Sequence, residues 1–440
     1  MDEPAMIYGN AAVLPHLLSH FYKGLYRNEG VAQWEKWQTD FEKRYRTQKA
    51  VFKTAVEKLP PVSLFEILQS MPEPSYQEVA TTSFIADYLL QLGYTLDRNK
   101  PTPYETEIIA YRLKDDVIDP RVFIRVDLDA VSMGKGASSH SCGHAVNMAS
   151  VLTLAKKAKE ENVPLGLIFQ PAEEGPGNII DGYVHPSGFG GGQYLRAKGI
   201  YRAIPSLVSC HIDTSLQYDE VRITAGQATA AAYRFRIHVE GKPAHAALPW
   251  QGVNPVNGLV GVLDEITQTN QKFKEQEKAW YIPQYGLLTP SQVHTEECEL
   301  NSLAPSATIR GISRISGNVA LKMFQDFMKR NNAHVELEAP PVFNDEILAR
   351  IAKQVAEEIG YAIREDPARF RDETAWAGPL SEPWVEHPER YEKGCDKILH
   401  FFTPHYNKES GGLHSTSFAP DPQRAIDTQV HMLLGIVKKL

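Results

Sequence analysis

Along the chain the spacing of apolar residues changes several times, and each change predicts an element. From Ser75 to Leu92, Val79, Phe84, Ile85, Tyr88, Leu89 and Leu92 recur at helical spacing and Gly93 follows as a stop, which predicts a helix. Arg121–Val131 is a short apolar run with β-branched residues, the mark of a buried strand, and Asn147–Glu160 is an Ala/Leu/Lys helix. Pro164–Gln170 and Ala203–His211 read as two more buried strands. Alternating strand and helix predicts the α/β class, a sheet covered on both faces. A helix over Gln193–Lys198 follows the glycine run 188–192. That run lacks the Lys-Ser/Thr of a phosphate loop and reads as a flexible connection.

Beyond residue 221 the pattern differs. Val221–Glu240 alternates polar and apolar residues as an antiparallel strand with one wet face does. Val253–Thr267 predicts a helix, Ala307–Ile315 a strand and Asn318–Lys329 a helix. Two such strand–helix units predict a smaller α+β domain over 222–339, inserted into a larger one formed by 61–221 and 340–440. Pro340-Pro341 marks the return, followed by a helix over Asn344–Gly360 and a stretch rich in Tyr, His, Pro and Trp. Ahead of all this, Trp34, Trp37, Phe41 and Tyr45 lie at helical spacing in a charged segment, so 1–60 reads as a helical extension packed on the body or docking a partner.

Composition narrows the function. The 440 residues are 42% hydrophobic and 23% charged, with 46 Lys plus Arg against 54 Asp plus Glu, a net charge of -8. Nucleic-acid binders need a basic stripe to displace counterions, so none is expected here. No apolar run reaches the roughly 20 residues that span a bilayer, so no membrane partner is expected. Met1–Asn10 carries Asp2 and Glu3 and no basic segment, unlike a secretory signal. Four cysteines are too few for a disulfide scaffold, and a reducing cytoplasm is the expected location.

Four short motifs carry chemistry. Cys142-Gly143-His144 stands just before a predicted helix and offers thiolate and imidazole, both ligands for borderline cations; a packed cysteine beside a capping histidine is the plainer alternative. Glu173-Glu174 follows a buried strand, where open α/β sheets bind ligands. Two adjacent carboxylates there need a positive partner, unless they form only an exposed acidic turn. His211 closes another strand, and His414 sits in a late loop. Together Cys142, His144, Glu174, His211 and His414 would hold two divalent ions, leaving Glu173 as a base to move a proton from water to a leaving amine. That is metal-assisted amide hydrolysis. The donor set suits Zn²⁺ or Mn²⁺, with Co²⁺ or Ni²⁺ also possible.

These motifs fall in an order that resembles a known family. Arg125-Val-Asp127-Leu-Asp129-Ala130, Cys142-Gly-His144, Gln170-Pro-Ala-Glu173-Glu174, His211, Gly241-Lys-Pro-Ala-His245-Ala-Ala-Leu-Pro249, Asn301-Ser-Leu-Ala-Pro305 with Gly311-Ile-Ser-Arg314, and His414-Ser-Thr-Ser-Phe418 are similar to the amidohydrolase branch of metallopeptidase family twenty. That branch includes hippurate hydrolases, indole-acetyl-amino-acid hydrolases, aminobenzoyl-glutamate hydrolases and N-acetyl-diaminopimelate deacetylases, and is aminoacylase-like. The resemblance runs from about Leu64 to the C-terminus and includes Leu68–Glu78. It implies a catalytic α/β domain with an inserted lid, two divalent ions on the five ligands named above, and Glu173 as general acid/base. It also implies that His245 stabilises the tetrahedral intermediate, often from the partner subunit of a homodimer formed through the lid. Asn301 and Arg314 would hold the carboxylate of a small N-acyl amino acid or peptide-like substrate.

Departures from the pattern cluster near the site. The family's Cys-Gly-His-Asp-x-His is Cys142-Gly143-His144-Ala145-Val146-Asn147 here, its Pro-His-x-Gly-x-Asp-Pro is Pro249-Trp250-Gln251-Gly252-Val253-Asn254-Pro255, and its Ser-Glu-Asp-Phe matches Ser381-Glu382-Pro383-Trp384. Extra Gly- and Pro-rich residues stand at Tyr183–Gly190. Loss of groups that orient ligands commonly costs ~10–100-fold in metal affinity. A metal-poor relative that binds a ligand or forms amides is therefore the competing reading. A Cys142 nucleophile with His144 as base is a third, weakened because residues two apart rarely face each other correctly.

Overall fold

The computed structural model describes residues 58–97, 105–112, 120–134, 137–175, 190–279, 285–369, 371–385 and 388–440. The expected helices before Lys58, and Tyr183–Phe189 of the Gly- and Pro-rich stretch, lie outside the described residues.

The larger sheet has eight strands. They are β1 (Thr95–Leu96), β2 (Ile108–Tyr111), β3 (Phe123–Asp127), β4 (Gly166–Gln170), β5 (Leu207–Ile212), β6 (Glu220–Arg222), and, after the inserted segment, two strands at Ala362–Arg364 and Ile398–Thr403. At its centre β4, β3, β5 and Ile398–Thr403 run parallel, with every residue of the four buried. Their sequences, FIRVD, GLIFQ, LVSCHI and ILHFFT, are the near-continuous apolar runs that a sheet covered on both faces requires. Helices α1 (Pro61–Gln69), α2 (Val79–Gln91) and α3 (His144–Glu160) contribute to the main core, which Leu152 and Leu154 of α3 share with Ile124, Leu167 and Val208 of the sheet.

Local chemistry sets the helix starts. α2 begins at Val79 rather than Ser75 because the Glu73 carboxylate accepts the Ala80 and Thr81 N–H groups at 3.0 and 2.9 Å, capping the first turn. α3 begins at His144, three residues earlier than the apolar pattern predicts, because Gly143 takes the left-handed conformation (φ 90°) and turns the chain into the helix. This brings Cys142 and His144 to the helix start. The next helix, α4 (Gly191–Ala197), approaches the loop after β4 so closely that a Cβ on Gly191 would lie 1.6 Å from the Pro171 carbonyl oxygen. The described end of the glycine run thus serves close packing.

The second sheet has four strands in the order β8–β9–β7–β10: β7 (Ala231–Glu240), β8 (Tyr285–Thr295), β9 (Ser306–Ser316) and β10 (His334–Ala339), all antiparallel. Along β7, Tyr233, Phe235 and Ile237 point into the core while Arg234, Arg236 and His238 face solvent. α5 (Pro255–Ala279) and α6 (Asn318–Arg330) cover the inner face through Leu259, Ile266, Phe273, Phe324 and Phe327. The expected strand Val221–Glu240 is three strands: β6 in the large sheet, the two-residue strand Gly226–Gln227 paired with Phe343–Asn344, and β7 in the small sheet. The expected pair of strand–helix units is four strands with two helices. Two more helices, α7 (Glu346–Ile359) and α8 (Pro422–Lys439), pack on the larger body. No helix among the described residues is long and apolar enough to cross a membrane.

Candidate metal centre

The donors gather at the carboxyl ends of β4 and β5 and the start of α3. Cys142, His144 and His211 form one group whose donor atoms lie within 4.8 Å of one another, Cys142, Glu174 and His414 a second, and His144, Glu173 and Glu174 a third. Cys142 Sγ lies 3.6 Å from His211 Nε2 and 3.2 Å from His414 Nε2. Glu174 faces His144 Nε2 at 3.9 Å through Oε1 and His414 Nε2 at 3.4 Å through Oε2. The sequence-named set Cys142, His144, Glu173, Glu174, His211 and His414 thus occupies one place, lining or adjoining a cavity of about 310 Å³.

The two buried histidines are aimed by backbone carbonyls. His144 Nδ1 lies 2.8 Å from the Asp129 carbonyl oxygen and His211 Nδ1 lies 2.8 Å from that of Ile212, which leaves both Nε2 atoms for the cluster. Asp129 also spans the carboxylate pair. Its Oδ1 accepts the Glu173 N–H and its Oδ2 the Glu174 N–H, both at 3.0 Å, while Ser75 Oγ donates to Oδ2 at 2.8 Å. Glu78 Oε1 accepts the Ala172 N–H at 2.9 Å, and Ala172 has φ 50°. His414 has φ 63°. Two non-glycine residues in the left-handed region at one site mark backbone held by its surroundings.

The electrostatics call for cations. Burial alone would push His144 below its ordinary value, but Asp127, Glu174 and Asp129 overcome it and hold a proton there up to about 9. Burial, opposed by Arg371 and aided by Glu174, raises Glu173 to about 7. Burial disfavours the charged form of Glu174, yet a hydrogen bond from His414 and the His144 charge bring it down to about 2. Burial and the two glutamates drive the Cys142 thiol well up. His144 Nε2 and Glu174 Oε1 are buried with no hydrogen-bond partner among the described residues, which is costly unless an ion takes that role. The residues therefore fit a pair of divalent ions. No hydrogen bond joins Cys142 to His144 among the described residues, and the raised thiol does not suit a nucleophile.

The remaining sequence-named residues divide. Arg314, on β9, lines the cavity. His245 and Asn301 are exposed on the small domain and near each other, the Ala246 N–H donating to the Asn301 carbonyl at 2.7 Å, and they do not line this cavity. Ser381 and Glu382 are exposed, whereas the neighbouring Arg371 and Asp372 line the cavity. Arg371 Nη1 is 3.3 Å from Glu173 Oε1 and 3.3 Å from Glu373 Oε1, and Nη2 donates to the Glu173 carbonyl at 2.9 Å. Asp372 accepts from Arg125 at 2.9 Å and lies 3.3 Å from His400 Nε2. Arg371, Asp372, Glu373 and His400 belong to none of the motifs; a run Arg-Asp-Glu-Thr carries no spacing that separates it from a solvated turn. Where the family pattern has an acid and a His, Ala145 is buried and Asn147 Oδ1 accepts from Gln429 at 2.8 Å.

Known proteins place the chain. The sequence profile of peptidase family M20/M25/M40 matches residues 123–375, and the chain belongs to that family. It is 26% identical over 317 residues to an N-acetyl-L-cysteine deacetylase of Bacillus subtilis (strain 168), which covers 66% of this chain and 70% of that protein. It is 27% identical over 206 residues to IAA-amino acid hydrolase ILR1-like 4 of Arabidopsis thaliana, covering 44% of this chain and 43% of that one, less than half its length. A Bacillus subtilis protein described as a dinuclear metal binding peptidase of the M20 family superposes with a TM-score of 0.60 at 18% identity, over 86% of this chain and 96% of that one. An aminobenzoyl-glutamate utilization protein of Klebsiella pneumoniae gives 0.51 at 16% identity, over 91% and 98%. The structural likenesses share the fold. The expected M20-type hydrolase with a mixed α/β fold is met, and the metal-poor reading is not favoured.

Proposed function

We propose that this protein hydrolyses the amide bond of an N-acyl amino acid or small peptide-like substrate, with Cys142, His144, Glu174, His211 and His414 holding two divalent ions, zinc or manganese before cobalt or nickel. The observation that carries the reading is the convergence of the five donors, with the buried His144 Nε2 and Glu174 Oε1 left without hydrogen bonds. When bound, the ion pair supplies a water of lowered pKa and a polarised scissile carbonyl. Glu173 accepts a proton at its carboxylate and returns it to the leaving nitrogen; a value raised toward neutrality suits both transfers. Arg314 offers its guanidinium from the cavity wall to the substrate carboxylate.

His245 and Asn301 act, in this reading, from the lid of a second copy. Their exposure supports it, as do Trp250, Val253, Val256 and Val260 on the same domain, exposed at 75%, 54%, 40% and 57%. An apolar face of this kind suits a homodimer interface. The division into a catalytic body (61–221 with 340–440) and a lid (222–339) belongs to the same proposal, as does action in the cytoplasm.

The test is a hydrolysis screen of N-acetyl and N-benzoyl amino acids before and after chelation, with zinc, manganese, cobalt and nickel restored one at a time. Turnover should vanish with the metals and return with one of them. Glu173→Gln should lose about 10²–10⁴ in kcat with its metal content unchanged. Full turnover after complete metal removal refutes the proposal.

A further inference from the structure

Arg371 belongs to none of the motifs that pointed to this site, yet its guanidinium meets three carboxylates. Its side chain is 10% exposed, and it holds the Glu173 carbonyl and carboxylate while Asp129 holds the Glu173 N–H. Nη2 donates to the Glu173 carbonyl at 2.9 Å, and Nη1 lies 3.3 Å from both Glu173 Oε1 and Glu373 Oε1. Nε lies 3.7 Å from Glu338 Oε1. Glu338 stands on β10 of the smaller sheet, where it also accepts from Arg234 at 2.9 Å and lies 3.8 Å from Arg314 Nη1. Glu373 is anchored in turn by the Gly192 N–H at 3.0 Å.

We propose that Arg371 is a positioning residue for Glu173, and that the small domain sets its position through Glu338. The inference rests on the reading of Glu173 as the base. A glutamate has three side-chain torsions, and a base is useful only in the rotamer that reaches its proton. Here the Glu173 main chain is gripped at both ends, by Asp129 at the N–H and Arg371 at the carbonyl. The same planar fork then holds the carboxylate, so backbone and side chain are fixed by one rigid group. The far edge of that fork rests on the lid. Arg314, the cavity arginine of the lid, shares Glu338 with it, so a substrate that draws on Arg314 pulls on the carboxylate that also steadies Arg371. An ion pair serving only stability would not need to bridge two domains and clasp a cavity carboxylate at once.

The experiment compares Arg371→Met, Arg371→Lys and Glu338→Gln in the full, zinc-loaded chain, with N-benzoylglycine and N-acetyl-L-methionine as probes. Arg371→Met should lose about 100-fold in kcat, the usual cost of a misplaced group, with KM within about threefold and two metal equivalents retained. Arg371→Lys should recover part of the loss, and Glu338→Gln should lose about tenfold in kcat alone. Crystals of zinc-loaded Arg371→Met should show the Glu173 carboxylate in more than one rotamer, a readout independent of turnover. If Arg371→Met does not fold, Arg371→Lys and Glu338→Gln decide by the same measures. An unshifted Glu173, a wild-type kcat, or a loss confined to KM overturns the inference. Glu173→Gln run alongside separates the two readings. If it turns over normally, the base assignment falls and takes this inference with it. If it is inactive while the Arg371 variants are normal, only the positioning role falls.

Discussion

The rim of the parallel sheet and the outer loops of the lid are two halves of one proposed site, and they differ in completeness. On the rim, Cys142, His144, Glu173 and His211 are 7%, 0%, 6% and 7% exposed, neighbours orient His144, Glu173 and His211, and His414, its side chain 52% exposed, is the open member. On the lid, His245 and Asn301 are exposed, and what holds them is their own local backbone. The difference follows from what each half does. Ligands must converge before an ion arrives, because the ion repays only a geometry already near its own. A group that meets charge developing on the substrate has no such need and can come from a surface that arrives later. In the proposed reading the rim would be finished within one chain, and the lid by a second copy.

The sharpest way to break this comparison is at Glu174. Its two oxygens face His144 on one side and His414 on the other, so Glu174→Ala removes a donor from both groups around it. Elemental analysis should find less than one metal equivalent per chain, and turnover should fall below detection, the largest effect expected of any single change. Two retained equivalents with normal turnover would mean that the rim is not the complete half.

His245 tests the other side. His245→Ala should lower kcat by about 10²–10³, the range for one oxyanion donor, while metal content and melting temperature stay put, since the side chain is exposed. Mixing His245→Ala with Glu174→Ala, each inactive or nearly so alone, should restore part of the rate if one chain supplies the metals and its partner supplies the histidine. Failure of the mixture to recover, in a sample shown to exchange subunits, would return His245 to its own chain.

How much of this could be read beforehand depends on where the chemistry sits in the chain. Cys142, Glu173, Glu174 and His211 stand at strand ends or a helix start, within tight motifs, and those positions converge in any parallel sheet. Three of the four central strands announce themselves by near-continuous apolar runs. Among the elements missed, some have a pattern blurred by position. β8 is exposed at most places along its length and carries Pro290, and β10 alternates exposed with half-buried residues and has few fully buried ones; both are edge strands, where alternation is weakest. The strand Ile398–Thr403 is buried throughout, but His400 interrupts its apolar run and is there because its Nδ1 lies 2.7 Å from Ser209 Oγ. Arg371 had no local signal. Its meaning comes from Glu173, 198 positions away, and from Glu338 on the other sheet. A lone arginine in a polar loop reveals such a role only once the chain is folded.

The smallest expected effect concerns how the rim behaves without its ions. Burial raises Glu173 to about 7, with Arg371 opposing, and it raises Glu373 to about 8 in the same way. Burial also raises Glu78 to about 8, with the Asp129 charge adding to it. His144 is lifted to about 9 because nearby carboxylates outweigh its burial. Three other histidines, His140, His211 and His400, are lowered to about 4, chiefly by burial. Unfolded, those three are half protonated at pH 6.5, so they add slightly to stability between 6.5 and about 7.5 and are neutral in both chains beyond it. The raised acids are already ionised in the unfolded chain at that pH but still hold protons in the fold, so their contribution is lost as pH climbs through 7 to 8. His144 adds stability that is whole below 6.5 and is lost as pH passes through about 9. Both effects share a sign: the folded metal-free protein binds more protons, and each such proton costs about 1.4 kcal/mol of stability per pH unit across its window. The chelated protein should therefore melt several degrees lower at pH 9 than at pH 6.5. Divalent ions replace those protons, so the zinc-loaded protein should show a much flatter profile. Melting curves at the two pH values, with and without chelator, measure the difference. A chelated protein as stable at pH 9 as at 6.5 would show that the rim carries no surplus of negative charge, and the argument that its donors are preassembled around missing cations would lose its electrostatic half.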